Sequence, residues 1–130
     1  MKLSLAKNLI ALRIEAKRRV DEAAVTIRHT RASYGVDAIY AEKTREAEQY
    51  KAAAIAGSPD LADYPFLSAE TKRLGQNPMD VAALWIERQR ELRTFLAKVE
   101  VARLNAKAAI DTATTPGEIE HLAAYVSWPD

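Results

Sequence analysis

The run NPMDVAALWIERQRELRTFLAKVEVARLNAKAAIDTA, residues 77–113, decides the fold class. Asn77-Pro78-Met79-Asp80 reads as a helix start: an Asn able to cap, a Pro at the first helical position and an acid in the first turn. No Gly or Pro follows until Pro116. Apolar or small residues recur at Val81, Trp85, Leu92, Phe95, Val99, Ala102, Ala106, Ala109 and Ala113, in steps of four and three once Arg88 is counted. Such a heptad stripe implies a helix packed along its length against other helices. Its first half is bulky and its second half alanine-rich, so partner helices should stand further apart near Trp85 than near Ala109. Arg88 is the one charge in the stripe. It belongs either to an edge where local packing exposes it or to a position that fixes register.

Outward from this run, the chain continues to read as helix. Leu5, Leu9, Leu12, Ala16, Val20, Ala23 and Ile27 trace one stripe through a first helix near 3–31. Ser33-Tyr34-Gly35 is a break. Val36, Tyr40, Lys43, Ala47, Tyr50 and Ala54 then mark a second helix near 36–56, with the Lys43 stem packed and its ammonium reaching water. Gly57-Ser58-Pro59-Asp60 ends it with turn chemistry. Leu61, Tyr64, Pro65 and Phe66 are too apolar for a linker and should fold back as a plug. A short helix is expected near 68–74, with Ser68 and Thr71 as capping candidates and Gly75 as its stop. Thr115-Pro116-Gly117-Glu118 announces a last short helix near 116–124 by a capping box. The expected fold is all-α: one helical domain over 1–130, elongated and coiled-coil-like.

Composition narrows the function classes. Charged residues make up 28% and hydrophobic residues 48%, as in a folded chain and unlike a disordered one. The net charge of +1 does not call for a polyanionic partner. Its distribution is uneven: residues 1–31 hold eight Lys or Arg against three acids, whereas residues 108–130 hold four acids and no Lys or Arg. The two ends should therefore attract each other, within a chain or between copies. There is no cysteine, which removes disulfides and thiolate chemistry. The N-terminus lacks the pattern of a signal peptide, and no apolar run reaches the length of a membrane span.

The chemistry-bearing residues form no catalytic pattern. His29 and His121 are the only histidines, and neither has a second histidine at helical spacing for a metal. Glu42–Glu46 and Glu87–Glu91 lie among Lys and Arg, as solvated charge does. No phosphate loop, dinucleotide fingerprint or nucleophile elbow is present. The reading is of a non-enzyme with no catalytic, cofactor-binding or metal residue and no small-molecule substrate.

Several runs together carry a family likeness. They are Arg19-Val20-Asp21-Glu22-Ala23-Ala24, Arg28 to Tyr34-Gly35, Tyr40 to Tyr50 (YAEKTREAEQY), Asp63 to Glu70 (DYPFLSAE), Val81 to Trp85, Val99 to Arg103 and Ile110 to Thr115. In this order, over 19–115, they resemble a group of small helical tail-region proteins of tailed bacteriophages and prophages. Two departures stand out: Gly35-Val36-Asp37-Ala38 replaces a Gly-x-Gly-Gln, and Phe66 precedes the Leu of the Tyr-Pro-x-Leu motif. The resemblance implies a virion protein, made in the host cytoplasm, that sits at the tail, tail fibre, baseplate or neck among other phage virion proteins. It also implies a homo-oligomer, with a trimer as the first choice. Leu5, Leu9, Leu12, Trp85, Leu92, Phe95, Val99 and Trp128 are the candidate interface residues. A tail-fibre assembly chaperone absent from the mature particle is the alternative. A nucleic-acid binder using the basic helix over 2–31 is disfavoured by the acidic C-terminus.

Overall fold

The computed structural model describes residues 2–31 and 37–130, with side chains from Asn8 to Arg31 and from Ala38 onward. The expected break at Ser33-Tyr34-Gly35 and the side chains of Leu5 and Val36 lie outside the described residues. The described chain is all-α: α1 is Lys2–Arg31, α2 Asp37–Ala56, α3 Pro65–Leu74, α4 Pro78–Thr112 and α5 Pro116–Ala124. A single 3-10 turn at Leu61–Asp63 precedes α3, and no strand occurs among the described residues. Contacts gather the chain into two compact units: residues 1–31 with 94–130, and residues 32–93.

The helix ends follow local chemistry. Asn77 Oδ1 accepts the Met79 amide at 2.8 Å ahead of Pro78, as its sequence implies. Thr115 Oγ1 caps α5 by accepting the Glu118 amide at 3.2 Å. Glu118 reaches back to the amide of Thr114 at 3.1 Å, one residue before the position a capping box would use. Gly75 ends α3 at φ +65, where a side chain would be strained. The start of α3 differs from expectation. It begins at Pro65, and neither Ser68 nor Thr71 caps it.

In the unit of residues 1–31 and 94–130, α1, the latter part of α4 and α5 enclose Ala16, Val20, Ile110, Ala113 and Ile119. Leu9, Ala106, Leu122, Val126 and Trp128 pack around them. The buried stripe of α1 is turned slightly from the expected one: Arg13 and Ala24 face inward, while Leu12 is 39% exposed. Arg13 explains the turn, since its guanidinium donates to the Ala113 carbonyl at 2.7 Å just past the C-terminal end of α4. Of the expected stripe, Val99 and, just past the end of α4, Ala113 are covered, whereas Ile110, outside that stripe, is fully buried and Ala109 only partly so. Its bulk is placed differently. Phe95 is only half-buried, with the Arg31 guanidinium 4.5 Å from its ring centre.

In the unit of residues 32–93, Ala47, Leu67, Val81, Ala82 and Trp85 form the core, ringed by Tyr50, Leu61, Tyr64, Phe66 and Ile86. The apolar segment after α2 does pack inward, and Tyr64 meets Tyr50 edge to face at 5.2 Å. Arg88 is exposed, and Gln89 takes the half-buried place beside it.

Candidate functional site

The polar side chains of the first unit form a ladder between α1 and its neighbours. Lys17 meets Asp111 at 2.7 Å, and Arg19 meets Glu120 at 2.8 Å. Asp21 accepts from Arg103 and Lys107, each at 3.0 Å. Glu100 accepts from Arg103 at 2.6 Å and from Arg28 at 3.2 Å. The basic start and acidic end of the chain thus meet within one molecule, as the charge asymmetry implies. Burial pushes the Asp21 carboxyl up, but the hydrogen bonds and charges of Lys107 and Arg103 outweigh it and leave Asp21 below its ordinary range. Glu100 is lowered chiefly by its hydrogen bond from Arg103.

The second unit contains a different use of charge. Glu46, 4% exposed, is the buried ionisable residue of the described chain. Its two carboxylate oxygens accept the amides of Phe66 and Leu67 at 3.2 and 3.0 Å. These are the second and third residues of α3, whose amides have no partner inside their own helix. Tyr64, the residue in the capping position, offers no side-chain bond. Glu46 is therefore the missing cap, supplied from α2, and it corrects the reading of Glu42–Glu46 as solvated charge. Nearby, the Lys43 ammonium lies 4.9 Å from the Trp85 ring centre and 4.0 Å from Glu70, so it is engaged and not simply released to water.

The candidate interface residues fall in different places. The Leu5 side chain is outside the described residues. Trp85 is buried in the core of its own unit, Val99 is fully buried, and Leu9 and Trp128 pack on the first core. Leu92 and Phe95 are half-buried, and Leu12 is exposed. A surface the sequence reading passed over lies on the other side of α4. Ala97, Val101, Leu104 and Ala108 are all exposed, Val101 at 57% and Leu104 at 51%. Their spacing of four, three and four aligns them on one face. The signal was available as a second heptad register in the same helix. Glu46 had no such signal, since its partners are backbone amides twenty residues away.

An open groove of about 440 Å³ follows α1, lined by Arg18, Asp21, Glu22, Val25 and Thr26. Its charged members already pair, Arg18 with Glu15 and Glu22, and Asp21 with α4. His121 stacks on Tyr125 with ring centres 4.8 Å apart. Among the described residues, no three His, Asp or Glu side chains converge as a metal site requires. No described helix is long and apolar enough to cross a membrane. Comparison with protein-family models, curated proteins and solved structures finds no match to this chain.

Proposed function

We propose that the chain is a non-enzymatic structural protein of a tailed-phage particle, a coiled-coil-like part held among other virion proteins at the tail, fibre, baseplate or neck. The observation that carries this reading is the employment of its polar side chains. Arg13, Asp21, Glu46, Glu100, Arg103 and Lys107 each bind a distant segment of the same chain. Groups spent on holding helices together suit a part whose task is to keep its shape. The cations of α1 that would attract a polyanion are in large part already opposed by acids. The ordered sequence likeness over 19–115 supplies the phage setting, and the exposed α4 face supplies a surface for other chains.

Mass spectrometry of purified particles from a phage encoding the chain tests this reading. Stoichiometric presence is the expected result. Synthesis in infected cells with absence from finished particles would overturn it and favour an assembly factor.

A further inference from the structure

We propose that the exposed face of α4 formed by Ala97, Val101, Leu104 and Ala108 pairs antiparallel with the same face of a second copy. This rests on reading the chain as one that packs against other helices, and it names the surface and the occupant. The order of sizes is small, large, large, small, so a two-fold axis between Val101 and Leu104 sets Ala97 against Ala108 of the second copy. Val101 then meets Leu104 of the copy, and the alanines at both ends let the backbones approach.

Charge selects the direction. At about 100° per residue, Glu100 and Lys107 lie on one flank of this face, and Lys98 and Asn105 on the other. In an antiparallel two-fold pair each flank meets its own equivalent. Glu100 therefore lies opposite Lys107 of the second copy, twice over, and Lys98 opposite the neutral Asn105. A parallel pair joins opposite flanks and gives Glu100 only Asn105. Glu100 already binds Arg28 and Arg103, and Lys107 binds Asp21, yet their side chains keep 43% and 28% of their surface exposed. Each can share a further partner across the rim. The face is short for a free-standing interface, so the pair is a weak one that covalent trapping should reveal.

The chain has no cysteine, which makes the test direct. Ala97→Cys and Ala108→Cys, both at exposed positions, are made as separate variants, mixed at high concentration and oxidised with copper phenanthroline. The expected product is a disulfide dimer containing one copy of each variant, with little dimer from either variant alone. Leu104→Glu added to both, with helicity checked by circular dichroism, should abolish that product. Dimers of each variant with itself would show a parallel pair and overturn the proposal. Absence of any dimer, or a mixed dimer indifferent to Leu104→Glu, would also overturn it. Particles that contain the chain while the mixed disulfide never forms would sink this pairing and leave the proposed function standing.

Discussion

The two units differ in one use of charge. In the unit built from the chain ends, acids and bases lie along the rims of helices, half exposed, and join residues far apart in sequence. In the unit of residues 32–93, one carboxylate is buried and serves backbone amides instead of cations. Rim pairs in water each contribute little and respond to salt. An enclosed cap contributes more, because its loss leaves buried donors without partners. The first arrangement sets which helices lie together; the second fixes where one helix begins.

The sharpest way to break the second unit alone is Leu67→Ala. Leu67 is fully buried and adjoins the Glu46 cap, so removing its side chain should cost about 2–5 kcal/mol. Hydrogen exchange should quicken in α2 and α3 while α5 keeps its protection. Equal loss in both units would show that they melt as one.

Glu46→Ala should follow at about 1–3 kcal/mol, through two unpaired amides. Early exchange at the Phe66 and Leu67 amides is the signature. A variant that melts like the parent would mean that water replaces the cap at no cost.

Ala106→Leu probes the first unit. Ala106 packs on the Val20–Ile110 core yet is only partly covered, so overpacking should cost about 1–2 kcal/mol. A thermal melt unchanged from the parent would show that α4 is not closely packed there.

The smallest expected effect is Asp21→Asn, under about 1 kcal/mol because the Asp21 side chain keeps 43% of its surface exposed to screening water. It should shrink further in high salt, whereas the effect of Glu46→Ala should not. Acid gives the same contrast. Asp21 and Glu100 have folded-state values depressed below 3.8 and 4.5, so their contribution is complete above those values. It is lost as pH falls through the lower folded values. An acid titration should therefore loosen α1 from α4 below about pH 4, and Asp21→Asn should reduce that loss.

How much of this was legible depends on the distance over which each interaction acts. Helix existence, the Asn77 and Thr115 caps and the Gly75 stop are local, and the sequence carried them. The α1 stripe was read a little out of rotation because a hydropathy pattern ranks Leu12 above Arg13. It could not know that Arg13 meets the end of α4. Phe95 was expected at the bulkiest point of the core, but Arg31 lies against its ring. Glu46 was invisible because a cap given from another helix leaves no spacing to read. Of the candidate interface, Trp85 and Val99 proved to be covered by their own chain. The more exposed face of α4 was hidden by its weaker apolarity.

The order in which the chain emerges during synthesis gives the division into units a further meaning. Residues 32–93 form one contiguous stretch, whereas α1 clusters with residues 94–130. The later unit must close a long loop, at an entropic cost that grows slowly with loop length. A nascent chain can thus complete the Glu46-capped unit while α1 still presents Val20 and Ala24 to its surroundings. In that interval a chaperone, or the α1 of a neighbouring nascent chain, competes with α4 and α5 for the same stripe. Emergence of residues 94–130 then ends the competition.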